Sequence, residues 1–432
     1  MKKVKSLITV AMFLVSLVVI SSVSAADIHV YSGQSIQSAI NAANPGDTIY
    51  VHAGTYNENL TINKNLTLIG DGASVTTIND NSGGTLDVIE VNGAFTVNIS
   101  GFTITNGNNG ICYKNGASGT ISNNTMMGNV YTGICNLNSS PTIINNIITN
   151  NGGILITLPG GILNFPNSSP VIAGNTIANN IGDGIMNLDN SNPAIYNNII
   201  SGNTANGIYN DYDPLMPGGT GSSPTITNNT IVGNFMDGIC SWNGSNPTIT
   251  NNIVSSNTSY GIYDDGTGTP INTYNDVWGN GTNYVNITPG VGSISKDPKL
   301  DATYHLSSSS PCIDAGTDAG VYTDMDGDIR PMGLGFDIGA DEYVPQVFAN
   351  PIAAFWPVAH HHLRQVNTCL GCIEENLPED VPEDVQALLD EMQEHIDNAN
   401  TTGNSIYANY ELLKALKCCE DIQEKLGITC PL

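Results

Sequence analysis

Apolar residues along most of this chain come in short period-two bursts, such as Thr142-Ile143-Ile144, Ala194-Ile195-Tyr196 and Thr248-Ile249-Thr250. Asn, Gly and Ser-Pro separate the bursts. Alternation bounded by turn residues predicts short strands rather than helices. A Gly-Ile pair recurs at Gly110, Gly133, Gly161, Gly184, Gly207, Gly238 and Gly261, and most of the steps are 23 residues. The two longer steps place insertions at 152–159 and 213–221. In phase with this runs a second signature, a Pro followed by an Ile-centred burst and Asn-Asn, at Pro141, Pro193, Pro224 and Pro247.

One such copy cannot bury its own apolar face, so the copies must stack. No copy holds a 3.6-residue apolar period, which excludes helical repeats. Asn suits the corners because it tolerates the left-handed backbone conformation. In-register stacking also lets each amide bond to the coils above and below. The pattern predicts an all-β fold: a right-handed parallel β-helix of about ten coils, carrying a small C-terminal α-helical domain.

The texture divides the chain further. Residues 1–26 have a signal-peptide layout: Lys2, Lys3 and Lys5, an apolar run from Leu7 to Ile20, then small residues at Val23-Ser24-Ala25-Ala26. Residues 27–295 form the β-helix. Ser35 to Asn44 is its expected N-terminal lid, with Ile36, Ala39, Ile40 and Ala43 at helical spacing. Residues 296–343 lose the period and read as a C-terminal cap, and 344–360 as a Pro-punctuated linker. Residues 361–432 are rich in helix formers, with Val385, Leu388, Leu389, Met392 and Ile396 on one face and Ile406, Leu412, Leu413, Leu416 and Ile422 on another. So small a unit needs staples, and Cys369, Cys372, Cys418, Cys419 and Cys430 are its disulfide candidates. His360-His361-His362 beside the Cys369/Cys372 pair keeps zinc as the alternative.

Net charge is −27, which makes nucleic acid and anionic membrane surfaces poor partners. The 56 Asn residues carry much of the polarity, and no Lys or Arg occurs between Lys114 and Lys296. Cys112, Cys135 and Cys240 follow their Gly-Ile pairs and read as a stack of buried thiols.

The segments Ile36-Gln37-Ser38-Ala39-Ile40, Gly46-Asp47-Thr48-Ile49, Gly54-Thr55-Tyr56 and Leu66-Thr67-Leu68-Ile69-Gly70 resemble the first coil of pectin-lyase-like β-helix proteins. The Gly-Ile and Asn-Asn copies resemble the repeats of carbohydrate-binding and sugar-hydrolase surface proteins. The block from Asp297-Pro298 through His305-Leu306, Ser310-Pro311-Cys312-Ile313-Asp314-Ala315-Gly316 and Asp326-Gly327 to Asp337-Ile338-Gly339-Ala340 is similar to their closing segment. The resemblance spans Ile28 to Tyr343. It implies the fold and a carbohydrate partner, and names no reaction.

Lyase chemistry needs a base and a cationic group on the uronate, and the central coils hold no Lys or Arg. Hydrolysis needs two carboxylates at set spacings. Asp211 and Asp265 lie four residues after their Gly, two coils apart, with Trp242 in register between them; Tyr209 and Tyr263 border the strip. These five residues are the candidate glycan-binding set. Asp324, Asp326 and Asp328 resemble a Ca²⁺ loop without its terminal Glu, so Ca²⁺ is the candidate ion and no other cofactor is expected. The chain therefore reads as a secreted or cell-surface protein, not membrane-spanning after signal cleavage. Its expected role is non-catalytic binding of a polysaccharide or cell-envelope glycan, or an envelope scaffold, with other surface proteins meeting the helical unit. An Asp-based polysaccharide hydrolase is the alternative, ahead of a lyase.

Overall fold

The computed structural model describes residues 25–153, 159–212, 219–344 and, with short gaps, 365–428. The signal-peptide segment up to residue 24, the linker after residue 344, His360-His361-His362 and Cys430 lie outside the described residues.

Three parallel sheets wrap one solenoid. The first has eleven strands, from Asp27–Val30 to Ile271–Thr273; the others have ten each, ending at Asp276–Trp278 and Thr282–Val285. The eleventh strand arises because Asp27–Val30 pairs with Thr48–Val51 ahead of the first complete coil. Each strand bonds to its equivalent one coil away, in register: Ile143 opposite Ile172, Ile172 opposite Ile195, Ile195 opposite Ile226. These inward isoleucines are fully buried. Each contributes about 1.5–3 kcal/mol by leaving water, so the stack is held by repetition of one contact.

The Asn-Asn pairs divide the work of turning and tying. The first Asn takes the left-handed conformation, with φ of 54° at Asn145, 55° at Asn197 and 52° at Asn228. The second points inward and joins a buried ladder running through Asn124, Asn146, Asn175, Asn198, Asn229, Asn252 and Asn275. In that ladder Asn198 Nδ2 donates to Asn229 Oδ1 at 2.9 Å and to Ile172 O at 2.8 Å. Its Oδ1 accepts from the backbone N–H of Asn175 at 2.9 Å. Backbone groups that a turn would leave orphaned are thus satisfied by the neighbouring coil.

The repeated Gly of Gly-Ile has a steric cause. A Cβ on Gly207 would stand 2.6 Å from Gly238 O and 2.6 Å from Ile231 Cγ2. Gly184 and Gly238 face the same obstruction from the next coil.

The helix Ile36–Ala42 covers the N-terminal end with Ile36 and Ile40 buried. Ser35 Oγ accepts from Ser38 N, and the Glu58 carboxylate accepts from the N–H groups of Ile36 and Gln37 at 2.9 and 3.0 Å. At the other end, Gly290 to Ile294 lies on the last coil through Tyr274 N–Val291 O and Ile294 N–Asn275 O bonds. Segment 296–344 then runs back along the flank of the solenoid. Asn197 Nδ2 donates to Thr323 O, Asn228 Nδ2 to Gly339 O and Asn251 Nδ2 to Thr317 O. Leu306, Cys312 and Ile338 pack on Ile253. A fully buried Arg330–Glu342 pair at 3.1 Å organises the segment internally.

The helices Glu383–Thr401 and Ser405–Leu426 pack together, burying Val385, Met392 and Ile396 with Ala415, Cys419 and Ile422. A disulfide joins Cys369 to Cys419, 50 residues apart, and Cys372 is disulfide-bonded as well. Cys418, expected in a bridge, is instead a free buried thiol. Adjacent helical residues project about 100° apart, so Cys418 cannot face the partner that Cys419 meets.

Candidate functional site

The third sheet carries the strip on its outer face. Along each strand, side chains alternate between core and exterior. Tyr209 stands opposite Cys240 and Cys240 opposite Tyr263, while Asn210, Ser241 and Asp264 form the inward row beside them. The next residues, Asp211, Trp242 and Asp265, continue the ladder through Trp242 N–Asn210 O and Asp265 N–Ser241 O bonds. Sequence register therefore brings together all five of its candidates.

Asn243, one of the chain's Asn-x-Ser/Thr sequons that sequence reasoning had not placed in the strip, ties it together. Its Nδ2 donates to Asp211 Oδ1 at 2.7 Å, and its backbone N–H donates to Asp265 Oδ2 at 2.7 Å. It holds this position with a left-handed φ of 53°. The remaining Asp211 oxygen accepts from Tyr209 Oη, and Asp265 Oδ1 accepts from Thr267 N. Burial opposes ionisation of Asp265, yet the Thr267 and Asn243 bonds hold its carboxyl below the ordinary carboxylate range. Both acids thus act as hydrogen-bond acceptors.

The aromatic members make a platform. Trp242 is 39% exposed, its Nε1 donating to Cys240 Sγ at 3.2 Å. Its ring lies 5.3 Å from that of Tyr263, which stacks on Tyr260 at 5.5 Å. Toward the N-terminus the same outer face turns apolar, with Cys112, Cys135, Leu163 and Met186 buried and Leu137, Phe165 and Leu188 packed against them. Contact with Cys135 and burial raise the Cys112 thiol far above its usual range. Asp183 and Asp237 stand on this face beside Cys240. Burial pushes Asp183 up to about 7, against two bonds that its Oδ1 accepts from Asn206.

Two of the three carboxylates of the expected Ca²⁺ loop, Asp324 and Asp326, have partners within the flank segment. Asp324 Oδ1 accepts from Asp326 N and Asp328 N, and Oδ2 from Glu342 N, so this carboxylate closes turns. Asp326 pairs with His305 instead. Among the described residues, ligand atoms from three residues converge within 4.8 Å at His305/Asp326/Asp341 and at Glu391/His395/Cys418. Neither group contains Asp324 or Asp328. No described helix is long and apolar enough to cross a membrane.

The model of the right-handed beta helix region matches residues 87–213 and 219–307, together half of the chain. The chain belongs to the right-handed β-helix family. Both insertions read from the Gly-Ile spacing fall within the span of this β-helix match or in the short break between its two parts. No curated protein sequence matches the chain. Among solved structures, pectate lyase Pel9A is similar at 17% identity with a TM-score of 0.55, over 75% of this chain and 98% of the lyase. An alginate lyase from Paenibacillus sp. str. FPU-7 matches at 14% identity and 0.41, over 56% of this chain and 99% of that one. The periplasmic alginate epimerase AlgG matches at 16% and 0.35, over 62% and 82%. At 17% identity the pectate lyase likeness shows the β-helix fold alone.

Proposed function

We propose that this β-helix protein acts outside the cytoplasm as a non-catalytic glycan-binding protein, with the outer strip of its third sheet as the binding surface. The single observation that carries this reading is the Trp242–Tyr263–Tyr260 platform flanked by the Asn243-linked carboxylates of Asp211 and Asp265. An exposed indole offers its face to the C–H side of a sugar ring, and neighbouring acceptors suit the hydroxyls. The acceptors are already fixed by hydrogen bonds, so little ordering is required when ligand arrives. The fold shared with a pectate lyase supports a polysaccharide partner, and the signal-like N-terminal sequence supports export. The helical unit, with its own core and disulfide, suits attachment to another surface protein.

Asp-based hydrolysis has one observation in its favour, the raised carboxyl of Asp183 two coils from Asp237. Against it, Asp183 is 1% exposed and bonded to Asn206, away from a substrate's reach. Glycan-array binding and a polysaccharide depolymerisation assay on the full chain test the two readings together. Array signal that Trp242→Ala removes, without depolymerisation, is the expected result. Depolymerisation that Asp183→Asn abolishes would overturn it in favour of the hydrolase, and array binding unchanged in Trp242→Ala would remove the strip from the site.

A further inference from the structure

His305, Asp326 and Asp341 come from three separate turns of the flank segment, yet their ligand atoms meet within 4.8 Å. His305 Nε2 lies 2.7 Å from Asp326 Oδ2. The other ring nitrogen, Nδ1, is 2.8 Å from Thr303 Oγ1, and that hydroxyl donates to Asp301 Oδ1. A hydroxyl whose proton is committed to Asp301 accepts from Nδ1–H, which orients the ring and leaves Nε2 as the ligand atom. Asp341 is buried, and its Oδ2 accepts from Leu306 N at 2.7 Å. One imidazole nitrogen with two carboxylate oxygens is a mixed donor set that suits zinc, through the imidazole, or manganese, through the carboxylates.

A second observation points the same way. His305 and Asp326 border a cavity of about 190 Å³ between the flank segment and the solenoid, lined also by Asn197, Thr303, Ile199 and Met325. Asn197 is 4% exposed, its Nδ2 is bonded to Thr323 O, and its buried Oδ1 has no hydrogen-bond partner. Buried acceptors in proteins are nearly always satisfied. A water held on an ion at this site would supply the missing donor, and the cavity has room for it.

We propose that His305, Asp326 and Asp341 bind one divalent transition-metal ion that staples the three turns of the flank segment. The segment has little regular secondary structure of its own, so a ligand that binds only its folded form stabilises it directly. The chain's net charge of −27 favours cations over anions as ligands in general.

Full-length protein stripped with EDTA and dialysed is titrated with Zn²⁺ and with Mn²⁺, reading stoichiometry by calorimetry and Tm by thermal melts. The expected result is a saturable rise in Tm and one equivalent that is lost, or weakened at least about tenfold, in both His305→Ala and Asp326→Asn. The control Asp297→Asn keeps it. Asp326 is exposed, so its variant reports ligation even if the histidine variant unsettles the segment. Unchanged stoichiometry and affinity in both variants would overturn the proposal, as would failure of the stripped protein to bind either ion. A response lost in His395→Ala and kept in His305→Ala would assign the ion to the helical pair and equally overturn it.

Discussion

Trp242 and Tyr263 stack at a tilt of 36°, one coil apart on the outer face of the third sheet. The contact leaves the indole partly exposed while fixing its plane, which is what a sugar-binding platform requires. Trp242→Ala is expected to weaken glycan binding about tenfold, near 1.4 kcal/mol. Its melting transition should stay within about 1 °C of the unmodified chain, because a surface ring carries little of the core. Isothermal titration with the best array ligand, beside a thermal melt, checks both.

The two members of an Asn-Asn pair should respond differently to the same substitution. Asn198→Ala removes a donor to Ile172 O and an acceptor for Asn175 N–H inside the ladder. Each buried group left unpaired costs about 1–3 kcal/mol, so a loss of roughly 2–6 kcal/mol is expected for the two. Asn145→Ala meets only the strain of a left-handed φ, roughly 1–2 kcal/mol, and Asn145→Gly should be close to neutral. Urea denaturation of the three variants orders them. Equal losses for Asn198→Ala and Asn145→Ala would refute the division of labour.

Asp183 gives the solenoid a pH dependence whose direction follows from linkage. Its folded pKa, raised by burial to about 7, lies above its unfolded value near 3.9. Between those values the folded chain holds a proton that the unfolded chain has lost. The group's contribution is therefore fully present below about pH 4 and is lost as pH rises to about 7. Asp183→Asn keeps the acceptor for Asn206 and removes the titration. The variant should melt about 2–4 °C above the unmodified chain at pH 7.5 and no higher than it at pH 4. Melts across that range give the answer, and parallel curves would exclude this group.

Reduction should separate the two parts of the molecule. The Cys369–Cys419 bridge closes 50 residues, and a loop of that size contributes roughly 4 kcal/mol by restricting the unfolded chain. Dithiothreitol is expected to lower the helical melting transition while leaving the β-helix transition in place, since the described solenoid cysteines are free thiols. Circular dichroism at a helix-sensitive wavelength, with and without reductant, follows it.

The solenoid was legible because its cause is local and repeated. Each Gly of Gly-Ile marks a place where a Cβ would strike the next coil, and each Asn-Asn pair marks a corner with a ladder behind it. Register arithmetic carried the Asp211, Trp242 and Asp265 strip into three dimensions, since a fixed period makes sequence offset equal spatial alignment. The role of Asn243 in the strip was not legible among 56 asparagines, because only its bonds to Asp211 and Asp265 place it there. The convergence of His305, Asp326 and Asp341 had no periodic signal, because three irregular turns meet there by tertiary contact alone. Cys418 shows the same limit: cysteine count suggested a bridge, and helix geometry turned its side chain elsewhere.

A stack of near-identical coils is a one-dimensional polymer whose ends fray, since each coil is held only by its neighbours. The flank segment changes that arithmetic on one side. By bonding to Asn197, Asn228 and Asn251 at once, it spans coils that would otherwise peel away singly, so they must release together or not at all. Erosion by proteases or mechanical load should then begin at the N-terminal coils and stall where the segment begins to hold.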